Sequence, residues 1–242
     1  MARALIKRKT PIEKLTKKDL LRSLEKYTNR LAAEKEGDER DYANLQHTWN
    51  KDILERAANY VPPEAKKIIG IGSFNGALEM AFSPYMEQIV CVDHESFLPK
   101  WKPSNLEFLQ ANLDSNEWKL PEDQGMFDMS FCIETIEHLL WSPLPLLTWM
   151  RTYSHIAVIS TPDDDEWPKM QIRPWTRYQH FSHIPAAAPG VQGNPMPMHH
   201  CKQYKQAEFI EMLDFVGFRV LEFFRVGEGK HQMCAIVQPR NG

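Results

Sequence analysis

The stretch KKIIGIGSFNGALEMA, residues 66–81, decides the fold. A short apolar run enters a segment with glycines at 70, 72 and 76, and helix-forming residues follow from Ala77. A buried strand that runs through a glycine loop into a helix aims free backbone N–H groups and a positive dipole end at whatever lies beyond the strand. Phe74 stands inside the loop, where a glycine-rich fingerprint often repeats glycine. Taken alone, the segment marks either a cradle for a nucleotide-like ligand or a tight turn.

Outward from this loop, strand and helix signals alternate. EQIVCVDHE (87–95), LEFLQANL (106–113), MFDMSFCIE (126–134) and HIAVIST (155–161) read as strands, and HLLWSPLPLLTWMRTY (138–153) as mostly helical. Alternation of this kind predicts a parallel sheet covered on both faces. The end of the chain differs. QAEFIEMLDFVGF (206–218) reads as a helix, and RVLEFFRV (219–226) and HQMCAIVQ (231–238) as two strands around GEGK, which predicts an antiparallel hairpin. The expected fold class is therefore α/β, a doubly wound and mostly parallel sheet finished by that hairpin.

Upstream, residues 17–35 carry Leu20, Leu21, Leu24, Tyr27 and Leu31 at helical spacing. A second helix is expected over 40–60, with Tyr42, Leu45, Trp49, Ile53, Leu54 and Ala57 on one stripe and EGDER as the polar break before it. Pro62 and Pro63 close this region. Residues 1–60 are thus read as a helical arm that covers the mouth of a site or makes a dimer contact, and 61–242 as the main domain.

Composition bounds the class. The chain has 242 residues, enough for a sizeable core, with 43% apolar and 25% charged residues, as in an ordinary globular protein. The four cysteines, at 91, 132, 201 and 234, show no CxxC spacing, and three lie in apolar runs, which predicts reduced thiols and a cytoplasmic location. No apolar run of membrane-spanning length occurs, and the basic N-terminus lacks the apolar centre of a signal peptide. Eleven Lys and Arg against four Asp and Glu in residues 1–35 give a local balance of +7 within a net charge of −3. Such a segment can touch nucleic acid, although a solvated helical face is the plainer reading.

Asp93, at the tip of the second strand, places a carboxylate where it can accept both hydroxyls of a ribose. Together with the glycine loop it points to a nucleoside cofactor. From about residue 61 to 238 the sequence resembles the class I S-adenosylmethionine-dependent methyltransferases. IIGIGSFNG resembles that family's first motif, VCVDHE its second and ANLDSNEWKLP its third-strand loop; FDMSFCIETIEHL resembles the segment around its fourth strand, AVISTP its fifth, and the final hairpin its last two strands. The resemblance implies a Rossmann-like methyltransferase fold with a seven-stranded sheet, and S-adenosylmethionine as cofactor. It further implies that Gly70, Gly72 and Gly76, with Ser73 and Phe74 between them, lie against the methionine and ribose parts. Asp93 would bind the ribose hydroxyls, Asn112 and Leu113 border the adenine, and Glu134 also face the cofactor. Two positions depart from the family pattern: an acidic residue is usual where Gly70 stands, and glycine where Phe74 stands.

IETIEHLL (133–140) places Glu134, Glu137 and His138 on one face of a helical turn, if the helix starts by Glu134. Two carboxylates and an imidazole can hold Mg²⁺ or Mn²⁺, with His200 as a fourth ligand. The pattern resembles two metal-assisted branches, the small-RNA 3′-terminal 2′-O-methyltransferases and the O-methyltransferases of ubiquinone biosynthesis. The alternative is structural, with a capping glutamate and a packed histidine, while His138, Glu137 or His200 serves as an acid–base catalyst. Residues 163–199 form a long proline-rich segment expected over the active-site end. Arg173, Trp175, Arg177, Tyr178, His180 and His183 in it can stack on and pair with an anionic or nucleotide substrate.

The expected activity is methylation of a hydroxyl oxygen on a small metabolite, sugar or nucleotide. RNA is a less favoured acceptor, given the acidic balance beyond the arm. A cofactor-binding module without catalysis and a nicotinamide-dependent dehydrogenase are the competing readings.

Overall fold

A computed structural model describes residues 16–114, 125–139, 142–163, 202 and 204–240. The described residues form a seven-stranded sheet in the order β3-β2-β1-β4-β5-β7-β6. The strands are β1 (Lys67–Ile71), β2 (Gln88–Asp93), β3 (Leu106–Gln110), β4 (Phe127–Cys132), β5 (Ser154–Pro162), β6 (Phe218–Val226) and β7 (Gln232–Pro239). β1 to β5 pair in parallel, while β7 runs antiparallel to both β5 and β6. The expected parallel sheet with a terminal antiparallel hairpin is the observed architecture.

The central strands are buried on both faces, so they read as near-continuous apolar runs. Successive residues nonetheless alternate between two cores. Ile68, Ile89, Met129 and Val158 face a core completed by α1 (Lys17–Ala33), α2 (Gly37–Ala57) and α3 (Ala77–Ala81). Ile69, Val90, Ala157 and Ala235 face the opposite core, closed by α4 (Leu144–Tyr153) and α5 (Gln206–Val216). The sheet is therefore the middle of three layers.

α1 begins where Thr16 adopts an extended conformation and its side chain accepts the Asp19 N–H. Its Leu20 and Leu24 are fully buried against the sheet-facing core. Tyr27 stacks on Trp101, and the Arg30 guanidinium lies 4.0 Å from the same indole ring. The arm is thus a packed part of one layer. α2 starts earlier than the sequence suggests. The break between the helices is only Glu34–Glu36, because Glu36 takes the extended cap conformation and the helix begins at Gly37.

Two further boundaries differ from the periodicity. α3 is a single short turn of helix ended at Phe82, not the longer run that GALEMAF suggests. α4 starts at Leu144, where the Ser142 hydroxyl accepts the Leu144 N–H and Pro143 precedes the first turn. The third strand stops at Gln110, short of the expected 113. Residues 164–201, which include the expected substrate loop beyond Asp163, lie outside the described residues.

Candidate functional site

At the carboxyl ends of β1, β2 and β4 lies a cavity of about 620 Å³, a size suited to a cofactor or small ligand. Its wall is built from the glycine loop, the tips of β2 and β3, the turn after β4, and α2. Gly72, Ser73, Phe74, Asp93, Asn112, Leu113, Glu134 and His138 all line it. Gly70 and Gly76 stand behind this lining, on β1 and before α3, and Glu137 is fully buried beneath it. His200 lies outside the described residues.

The loop conformation explains its glycines. Gly72 and Gly76 have φ of 67° and 69°, in the left-handed region. A Cβ on Gly72 would lie 2.2 Å from Thr135 Oγ1, and one on Gly76 would lie 2.5 Å from a methyl of Leu98. The Gly72 and Ser73 N–H groups both donate to the Val92 carbonyl, at 2.9 and 3.2 Å, tying the loop to β2. Asn75 braces the other side: its Oδ1 accepts the Ala77 N–H, and its Nδ2 donates to Gln46 Oε1 of α2 at 2.8 Å. Gln46, Trp49 and Asn50 of α2 also line the cavity, so α2 forms part of its mouth.

Phe74 has φ of 47°, a conformation that L-residues rarely adopt. Two contacts hold it there. Its N–H donates to Asp93 Oδ2 at 2.9 Å, and its ring meets Phe97 with centroids 4.9 Å apart. The aromatic pair compensates the backbone strain that glycine would avoid. Phe74→Gly is therefore expected to change unfolding free energy by no more than about 1 kcal/mol, since relief of left-handed strain offsets the lost ring contact. Urea denaturation measures this directly.

Asp93 is 8% exposed and already engaged. Besides the Phe74 N–H on Oδ2, its Oδ1 accepts the His94 N–H at 2.7 Å and approaches His94 Nδ1 at 2.8 Å. A carboxylate offers about four acceptor directions, so the position open without rearrangement lies on Oδ2. Room for a second incoming donor, on Oδ1, requires the half-exposed His94 ring to move.

The turn after β4 is not the helical face that IETIEHLL suggests. Glu134 has φ of 50°, outside any helix, and only Ile136–His138 form one 3₁₀ turn. The three residues consequently do not share one helical face. Glu134 Oε1 accepts from the Ser160 hydroxyl at 2.8 Å, while Glu137 Oε2 accepts from Thr161 at 3.3 Å. Among the described residues Glu137 Oε1 has no hydrogen-bond partner, and it lies 3.7 Å from His138 Nε2. Burial pushes both carboxyls well above the usual carboxylate range, and the Glu134 charge adds to the effect on Glu137. Among the described residues no group of three His, Cys, Asp or Glu is arranged to hold a metal ion. The left-handed Glu134 stands apart from the 3₁₀ turn that carries Glu137 and His138, and the fourth expected ligand, His200, lies outside the described residues.

Glu79 was missed by the sequence reading. It lies on α3, 4% exposed, and lines the same cavity. Burial pushes its carboxyl up to about 7, with the Asp93 charge acting in the same direction. The available signal was a lone acid in the apolar run GALEMAF, placed to meet a strand position that carries no side chain.

No family model and no curated protein matches the sequence. Solved structures do match its fold. The methyltransferase domain of the bacterial protein CtHen1-C aligns with a TM-score of 0.54 at 18% identity, over 82% of this chain and 100% of that one. Magnesium protoporphyrin IX methyltransferase from Synechocystis PCC 6803, with bound SAH, aligns with a TM-score of 0.56 at 10% identity, over 85% and 89% of the two chains. An S-adenosylmethionine-dependent methyltransferase from Clostridium acetobutylicum ATCC 824 gives 0.57 at 10% identity, over 80% and 92%. This chain therefore has the Rossmann-like fold of S-adenosylmethionine-dependent methyltransferases. No helix among the described residues is long and apolar enough to cross a membrane.

Proposed function

We propose that the protein is an S-adenosylmethionine-dependent methyltransferase acting on a hydroxyl oxygen. The observation that carries the cofactor is the combination, in one cavity, of the positive-φ glycine loop and the Asp93 carboxylate at the β2 tip. Asp93 would hold the ribose, Asn112 and Leu113 border the adenine, and Gly72 to Gly76 lie along the rest of the ligand. The cofactor supplies a methyl group activated by its sulfonium.

Oxygen as the acceptor rests on the turn after β4. An acceptor hydroxyl must lose its proton as its oxygen bonds to the methyl carbon and the carbon–sulfur bond breaks, leaving the thioether product. The cavity-lining His138 imidazole is placed to take that proton. The Glu137 carboxyl, 3.7 Å from the ring's Nε2, lies within reach of the resulting imidazolium. Glu134, fixed by Ser160, shapes the wall beside the transferring group. Positioning contributes most of the remaining rate enhancement.

Incubation with S-adenosylmethionine labelled in the methyl carbon, across hydroxylated metabolites, sugars, nucleotides and short RNAs, tests this reading. The expected result is a labelled ether on one class. Absence of product across the panel, with cofactor bound, would favour a binding module. Asp93→Ala is expected to weaken S-adenosylhomocysteine binding by about 1–3 kcal/mol, the range for charge-assisted hydrogen bonds, measured by calorimetry.

A further inference from the structure

Gly70 and Glu79 are geometrically coupled. A Cβ on Gly70 would lie 1.9 Å from Glu79 Oε1 and 2.4 Å from its Cδ. The carboxyl of the α3 residue thus occupies the space that a side chain on β1 would fill. Gly70 is flanked in the sheet by Cys91 of β2 and Phe131 of β4, so this carboxyl lies over the central strands. Asp93, Asn112 and Leu113 stand toward β2 and β3, where the nucleoside end belongs. Glu79 therefore faces the other end of the ligand.

Its environment lacks a counter-charge. Its own backbone N–H is a hydrogen-bond donor to the carboxyl, and no side-chain donor among the described residues is paired with it. Asp93 adds a second negative charge along the same cavity. A buried carboxylate without a cation is costly, and a wall with two acids is complementary to a positively charged ligand group. The nucleoside carries no such group; of the cofactor's two cations, the sulfonium has no hydrogen to donate, whereas the α-ammonium of the aminoacyl end can donate to a carboxylate.

We propose that Glu79 binds the α-ammonium group of S-adenosylmethionine, reaching from helix α3 into the place left open by Gly70. The inference rests on the cofactor assignment above and extends it to a residue and a ligand group. An ammonium beside Glu79 forms a charge-assisted hydrogen bond in a site sheltered from water. A side chain larger than hydrogen at 70 would displace the carboxyl from the cavity wall, so the two residues work as a pair.

Two ligands separate this role from a structural one. S-adenosylhomocysteine carries the aminoacyl end; 5′-deoxy-5′-methylthioadenosine keeps the nucleoside and thioether but lacks it. At about pH 8, Glu79→Gln, a nearly isosteric change, is expected to weaken S-adenosylhomocysteine binding roughly tenfold or more. Binding of the methylthio nucleoside should stay within about twofold. Equal weakening of both ligands, or of neither, overturns the proposal. Should the single variant lose its fold, the pair Gly70→Asp with Glu79→Ala carries the same test. It returns a carboxylate to the strand and vacates the space, and must still prefer the aminoacyl ligand. Loss of that preference in a folded double variant also overturns the proposal. Failure of the unmodified protein to bind either ligand would instead reject the cofactor assignment itself.

Discussion

Gly72→Ala is expected to lower the unfolding free energy by about 3 kcal/mol, the combined effect of left-handed backbone strain and overpacking. The backbone at Gly72 has φ of 67°, and a Cβ would lie 2.2, 2.5 and 2.9 Å from three atoms of the Thr135 side chain. Thr135 is poorly able to yield. It is 6% exposed, β-branched, and its hydroxyl lies 3.0 Å from the Ile133 carbonyl and 3.3 Å from that of Ile71, donating to one of them. Gly125→Ala is the natural control. Gly125 has φ of 65° but nothing among the described residues within 4 Å of a built Cβ, so that variant should show the strain, about 1–2 kcal/mol. Equal losses in the two variants, by urea denaturation, would mean that the loop is not clamped between β2 and the turn after β4.

The second large effect is a pH dependence of stability centred on Glu79. Burial, with a further contribution from Asp93, raises its carboxyl from the ordinary 4.5 to about 7. In this range the folded state holds a proton that the unfolded chain has released. The associated stability is present in full below the unfolded value and is lost as pH rises through about 7. For a fully buried group the loss between acid and alkaline limits is about 3 kcal/mol. Glu134 and Glu137 act in the same direction, so the ligand-free protein should be less stable at pH 8 than at pH 5. Glu79→Gln isolates one contribution. The variant should match the parent near pH 4 and exceed it by about 3 kcal/mol near pH 8.5. Parallel curves for the two proteins would show that Glu79 is solvated. A gain in stability together with weaker binding of the aminoacyl ligand is the pattern expected of a functional buried charge.

The sheet was legible because its signals are local and repeated. KIIGI, QIVCVD and FDMSFC are apolar on both faces, as only central parallel strands need to be, and the two strands around GEGK announce a hairpin. Boundaries were less legible where one residue departs from the surrounding period. IETIEHLL has helical spacing, but Glu134 at φ 50° breaks the turn, and spacing carries no record of backbone sign. The same holds for Phe74. Its residue type contradicts its conformation, and the contacts to Asp93 and Phe97 help to retain it.

The cavity wall shows a similar division. Asp93 was readable as a carboxylate at a strand tip, whereas its existing bonds to Phe74 and His94 were not, since they depend on loop geometry. Glu79 was hidden for the opposite reason. A single acid in a helix is normally a solvent-facing residue, and here the missing side chain at Gly70 draws it inward. The Gly70 and Glu79 substitutions make sense only together, and their positions nine apart in sequence meet only once β1 and α3 are folded against each other.

The most direct measurement is calorimetric titration of the unmodified protein with S-adenosylhomocysteine, with NAD in a parallel cell. Saturable one-to-one binding of the first and none of the second is the predicted result. Binding of NAD alone, or of neither by a cooperatively folded protein, would contradict the assignment of this cavity to S-adenosylmethionine.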